Sequence, residues 1–140
     1  MKTMKIKNTT GLQFLGKVRD HEIVLDSTKK ELGGLDAGIQ PMELILVGLM
    51  GCTGMDVVSI MRKMKVQFED FEVEIPEVKR AEQHPKVYTY IKLIYRIKGK
   101  NVDRSKVEKA VNLSQDKYCS ASAMLKAANV KIEHTIEIIQ

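Results

Sequence analysis

The sequence is short of nearly everything that would mark a secreted, membrane-embedded or metal-binding protein. Its 140 residues hold only two cysteines, Cys52 and Cys119, and three histidines, His21, His84 and His134. The histidines are scattered, with no H-x-x-x-H or C-x-x-C spacing, so no metal site is expected. The opening stretch MKTMKIKNTTGLQF has no apolar core of the kind a signal peptide needs. The longest apolar run, LILVGLM at 44–50, is too short to span a bilayer, and no membrane partner is expected. A cytoplasmic protein with two reduced thiols is the resulting expectation. Basic blocks are missing as well. The net charge is +5, but the lysines are spread along the chain, which gives no argument for nucleic acid. No linker, repeat or low-complexity segment interrupts the sequence. With 44% apolar and 29% charged residues, it reads as one globular domain, 1–140, small enough to leave room for a partner subunit.

What is present is a mixed order of elements. MKIKNTT (4–10), LQFLGKVR (12–19) and EIVLD (22–26) read as three short strands, with turns at Thr10-Gly11 and Asp20-His21. STKKELGGLDAGIQP (27–41) is a polar, glycine-rich loop. Pro41 suits a helix start, with Glu43 in the first turn, where a negative charge favours the helix dipole. From Leu44 to Met50 almost every position is apolar, which predicts a helix half buried on all sides. From Met55 to Met64 the pattern turns amphipathic, with Asp56, Ser59, Arg62 and Lys63 on the wetter side. FEDFEVEIPEVKRAE (68–82) and KVYTYIKLIYRIKG (86–99) alternate as two long strands of a hairpin closed around QHPK. DRSKVEKAVNLSQDKY (103–118) predicts an amphipathic helix capped by Asp103. SASAMLKAAN (120–129) is a second short helix ended by Asn129, and VKIEHTIEII (130–139) is the last strand. The order βββ-α-ββ-αα-β, without a βαβ rhythm, is α+β.

The chemistry centres on GLMGCTGMDVVSIMRKM (48–64). Residues four apart share a helix face, so Gly48, Cys52 and Asp56 form one stripe flanked by Gly51 and Gly54. Each glycine costs the helix about 1 kcal/mol relative to alanine. Small residues around a thiol let a second backbone or a substrate approach; the plainer alternative is a small buried hydrophobe in a tightly packed helix. Cys119 lies at a helix start beside the candidate caps Ser120 and Ser122, a position that favours a thiolate. Met42, Met50, Met55, Met61 and Met64 gather on the long helix. They serve as core filler or, with Gly48, Met50 and Met55 nearest the thiol, as the lining of an apolar pocket. His21 is a turn histidine or a pocket residue. Gly51-Cys52-Thr53-Gly54 also has the G-x-x-G form of a KH-type RNA clamp, though without the basic residue such a loop carries.

QPMELILVGLMGCTGMDVVSIMRKM, followed downstream by YCSASAML, resembles the OsmC/Ohr family of osmotically inducible and organic hydroperoxide resistance proteins. The resemblance rests on the proline ahead of the first cysteine, the small residues before the thiol, the D-V-V continuation and the second cysteine in a C-x-x-S/A context. It implies an OsmC-like fold around a long central apolar helix and an intertwined homodimer. It also implies a thiol peroxidase that reduces organic hydroperoxides as part of oxidative stress defence, with Cys52 peroxidatic and Cys119 resolving. No bound cofactor is implied, only an external dithiol reductant such as a lipoyl group. Peroxidase relatives support the thiolate with an acid directly after the proline and with an arginine. Here Met42 holds that position and Glu43 is the acid, about 13.5 Å from Cys52 along a regular helix and on its opposite face. Arg19 is the nearest arginine on the N-terminal side. A non-enzymatic dimer of the same fold that binds an apolar ligand is the alternative, with an inert Cys52 as its mark.

Overall fold

In a computed structural model, which describes residues 3–140, the chain forms two compact units, Met1–Val47 and Gly48–Gln140. The first holds an antiparallel sheet of β1 (Met4–Thr10), β2 (Gln13–Val18) and β3 (His21–Leu25) in sequence order. The second turn differs from expectation. Arg19 takes a left-handed conformation (φ 57°), and His21 already pairs with Val18 as the first residue of β3. His21 is exposed there.

The loop after β3 is organised by one carboxylate. Asp26, placed by its alternation in the third strand, instead leaves the sheet and is 2% exposed. Its side chain accepts from the backbone N–H groups of Ser27 (2.7 Å), Leu35 (3.4 Å) and Ala37 (3.0 Å). These bonds, Ser27 first among them, hold the carboxyl below the usual carboxylate range. The turn around it is tight. A Cβ at Gly34 would collide with the Ser27 carbonyl, and one at Gly38 with that of Val24. A single turn of 3₁₀ helix, Lys30–Leu32, lies within the loop.

Helix α1 runs from Pro41 to Lys63. Pro41 is its first residue, and Glu43 reaches back to accept from the Gln40 amide at 3.0 Å, the reciprocal half of a capping box. Its buried positions are Leu49, Thr53, Val57 and Met61, a stripe at four-residue spacing. The expectation of all-round burial from Leu44 to Met50 is not met. Ile45 and Val47 are nearly half exposed, and in this stretch only Leu49 is fully buried. The isolated apolar run also understates the helix. With mean hydropathy 1.9 over its most apolar 18 residues, α1 is long and apolar enough to cross a membrane by length and composition, yet only 28% of that window is buried.

In the second unit, β5 (Tyr88–Lys98) is the central strand of a sheet with β4 (Asp70–Arg80) antiparallel on one side and β6 (Lys131–Ile139) parallel on the other. Ile91, Leu93, Tyr95 and Ile97 of β5 are fully buried on alternating positions, as a period of two requires. At Gly54 of α1 an added Cβ would meet Val73 and Phe71 of β4 at ordinary contact distance, so the packing there does not demand glycine. Helix α2 (Arg104–Leu113) is capped as expected, Asp103 accepting from Ser105 N, and buries Val107, Ala110 and Val111. The helical pattern read through residue 118 breaks earlier. Ser114–Tyr118 form a π-helical turn closed by Cys119 N–H to Ser114 O at 2.7 Å, after which α3 (Ser120–Ala127) begins. Asn129 ends that helix at positive φ.

Candidate active site

Cys52 and Cys119 come together. Cys52 is half-buried on α1, and Cys119 is 2% exposed just ahead of α3. The two thiols are close enough to influence each other electrostatically. Cys119 is itself the cap of α3, its Sγ accepting from Ser122 N–H at 3.4 Å, so Ser120 and Ser122 do not take the capping role expected of them. The helix start was expected to favour a thiolate, but burial prevails. Desolvation pushes the Cys119 thiol above the usual thiol range, against the opposing bond from Ser122 N–H. The neighbouring Cys52 thiol acts in the same direction as burial.

A buried polar cluster adjoins the pair through Ser122. The Thr53 hydroxyl lies 2.7 Å from Tyr95 OH and 2.8 Å from Ser114 Oγ. Ser114 Oγ donates to Asp56 Oδ2 at 2.9 Å. A serine hydroxyl has one proton, so Thr53 must donate to Ser114 and Tyr95 to Thr53. Gln115 closes the cluster. Its Nε2 donates to Tyr95 OH (2.9 Å) and Thr53 Oγ1 (3.2 Å), and its Oε1 accepts from Ser122 Oγ (2.9 Å). Every hydroxyl orientation is thereby fixed, and no buried side-chain N or O among the described residues lacks a partner. Burial raises the Tyr95 hydroxyl above the usual tyrosine range, with the Thr53 and Gln115 bonds pulling the other way.

The π turn places two of these groups. Inserting one residue into the helical ladder at Ser114 turns Ser114 and Gln115 inward together, and Lys126 Nζ takes up the Gln115 carbonyl at 2.9 Å. An open cavity of about 450 Å³ is lined by Asp56, Ser59, Ile60, Lys63, Leu113 and Tyr118, and neither cysteine is among its lining residues. Asp56 is one helical turn beyond Cys52, and Tyr118 directly precedes Cys119.

The other expected site residues have their own local surroundings. Glu43 is exposed, with its carboxylate engaged by the Gln40 amide, and the helix that follows it is regular. Arg19 sits in the β2–β3 turn of the first unit. Met50 is half-buried and Met55 is 77% exposed. Among the described residues nothing lies within 4 Å of a Cβ built at Gly48 or Gly51. Gly51-Cys52-Thr53-Gly54 is continuous helix, so the clamp loop that a KH-type reading requires is not formed. Thr53, Tyr95, Ser114 and Gln115 carry no role in the sequence reading, and Ser122 only that of a cap. The one local signal was polarity out of register: Thr53 interrupts an apolar stripe, and Ser114 continues the buried Val107–Ala110–Val111 face of α2.

Comparison with known proteins agrees with this architecture. The family model of the OsmC-like protein matches residues 33–135. Protein YhfA of Escherichia coli K12 is 35% identical over 136 residues, covering 96% of each chain. A hypothetical protein from Aquifex aeolicus VF5 superposes with a TM-score of 0.82 at 34% identity, over 100% of this chain and 98% of that one. An organic hydroperoxide resistance protein OsmC from Legionella pneumophila shares the fold at a TM-score of 0.69 and 19% identity, over 98% of both chains. In sequence and in fold, then, the chain belongs to the OsmC-like family.

Proposed function

We propose that this protein is a thiol peroxidase for organic hydroperoxides, acting through Cys52 and Cys119 as a cytoplasmic homodimer in oxidative stress defence. The observation that carries the reading is the asymmetry of the thiol pair. Cys52 is half-buried, while Cys119 beside it is buried and desolvation raises its thiol above the usual range. The Cys52 thiolate attacks the distal oxygen of ROOH. The O–O bond breaks, the alkoxide takes a proton and leaves as ROH, and Cys52 becomes a sulfenic acid. Cys119 then attacks that sulfur. The S–O bond breaks, the Cys119 proton leaves with the hydroxide as water, and a Cys52–Cys119 disulfide remains. An external dithiol, such as a lipoyl group, reduces the disulfide by two thiol exchanges and is itself oxidised. Family membership supports the reading, as does the shared fold with the Legionella hydroperoxide resistance protein.

The dimer rests on surface that a lone chain leaves uncovered. Every residue of β1 is exposed, Met4 and Ile6 included, and so are Ile45, Val47 and Met55 of α1. A second copy would bury these and bring a chain segment toward Gly48 and Gly51.

The deciding experiment treats the reduced protein with cumene hydroperoxide and maps the products. A stoichiometric 52–119 disulfide, absent in Cys52→Ser, is expected. A Cys52 that stays reduced sinks the proposal and leaves the alternative of a non-catalytic dimer that binds an apolar ligand in the same fold.

A further inference from the structure

We propose that Gln115 is the positioning residue of the thiol pair: one side chain ties the segment carrying Cys52 to the segment carrying Cys119. This deepens the reading above and rests on the two cysteines forming a working couple. Through Nε2, Gln115 holds Thr53, the neighbour of Cys52 on α1, and Tyr95 on the sheet. Through Oε1 it holds Ser122, in the first turn of the helix that Cys119 caps. Its own backbone carbonyl is fixed by Lys126 of the same helix. Gln115 is 7% exposed, so these bonds do not compete with bulk water. One side chain thus bonds both segments at once. The primary amide suits the task because it donates twice and accepts on one planar group. The π turn exists at the residue where that group must face inward.

The consequence is redox. A disulfide forms readily only if its two Cα atoms are held within a narrow range of separations, about 4.4–6.8 Å. Freeing the start of α3 from α1 lowers the effective concentration of Cys119 at Cys52, which favours the dithiol. The exchange is protein(SH)₂ plus oxidised dithiothreitol giving protein disulfide plus reduced dithiothreitol, with two electrons and two protons passing to the reagent.

The test equilibrates the full-length protein with mixtures of reduced and oxidised dithiothreitol at fixed pH and counts free thiols by alkylation and mass. Gln115→Leu and Ser122→Ala are each expected to lower the equilibrium constant for the 52–119 disulfide at least about tenfold, a rise of roughly 30 mV in potential. Val107→Ala, a core truncation away from the cluster, should lower thermal stability and leave the constant unchanged. Ser122→Ala removes one hydroxyl and leaves the capping amide in place, so it decides the matter should Gln115→Leu not fold. A folded variant with the wild-type constant overturns the proposal, as does a wild-type protein that forms no 52–119 disulfide at any ratio. Because no peroxide is used, a shifted constant in a protein inert to cumene hydroperoxide would uphold Gln115 and reject the peroxidase.

Discussion

Thr53 shows how much one hydroxyl does inside an apolar stripe. It accepts from two groups and donates to a third, all of them far away in sequence. Thr53→Val keeps the shape and removes the hydroxyl, leaving Tyr95, Ser114 and Gln115 short of a partner in the core. A loss of about 1–3 kcal/mol is expected in urea titration. The cysteines were legible in the sequence because thiols are rare and chemically distinctive. Thr53 was not, since a lone threonine among apolar residues reads as β-branched core until its distant partners are known. His134 offers a second check. It packs edge-on against Tyr95 with centroids 5.8 Å apart, and burial lowers its pKa below the ordinary 6.5, with Asp116 opposing and Lys126 assisting. The unfolded chain therefore binds the proton more readily. Stability from the neutral ring is complete above pH 6.5 and is lost as pH falls through the lower folded value. Unfolding free energy measured from pH 7.5 downward should fall more steeply in the wild type than in His134→Gln.

At the scale of elements, α1 was readable at both ends and misread in the middle. Pro41 and the reach of Glu43 set its start by local chemistry alone. Its apolar run predicted full burial, but burial is decided by what lies opposite, which no single helix encodes. The three glycines separate on the same ground. Gly54 meets β4, whereas Gly48 and Gly51 face open space among the described residues. Gly48→Ala should stabilise the helix by up to about 1 kcal/mol. Under the proposed function the same change should slow oxidation of Cys52 by cumene hydroperoxide; unfolding of the protein or an unchanged rate would speak against a clearance role. The π turn was invisible because the helical pattern runs through it unbroken. Only the distant partners of Ser114 and Gln115 explain the extra residue.

For the whole molecule, the order of strands and helices followed from periodicity and turn residues, and the α+β class stands. The coming together of Cys52 and Cys119 was implied by family resemblance, not by spacing. The uncovered faces of β1 and α1 predict an obligate dimer, and such interfaces exceed about 2,000 Å². Sedimentation equilibrium at micromolar concentration should give twice the chain mass of 15.9 kDa. A folded monomer there would remove the basis for a site completed by a second chain.

The parallel pairing of β5 with β6 bears on the order in which the chain is expected to fold. Arg96 and Glu137, bonded across it, stand 41 residues apart, and everything between them, Cys119 included, is the loop that must close. Antiparallel β4 and β5 are joined by a short hairpin and can zip early, whereas closing the longer loop spends entropy before it gains contacts. By this reasoning the hairpin is expected to form before Cys119 reaches Cys52, and an oxidant added early in refolding is expected to find two separate thiols that have not yet become a pair.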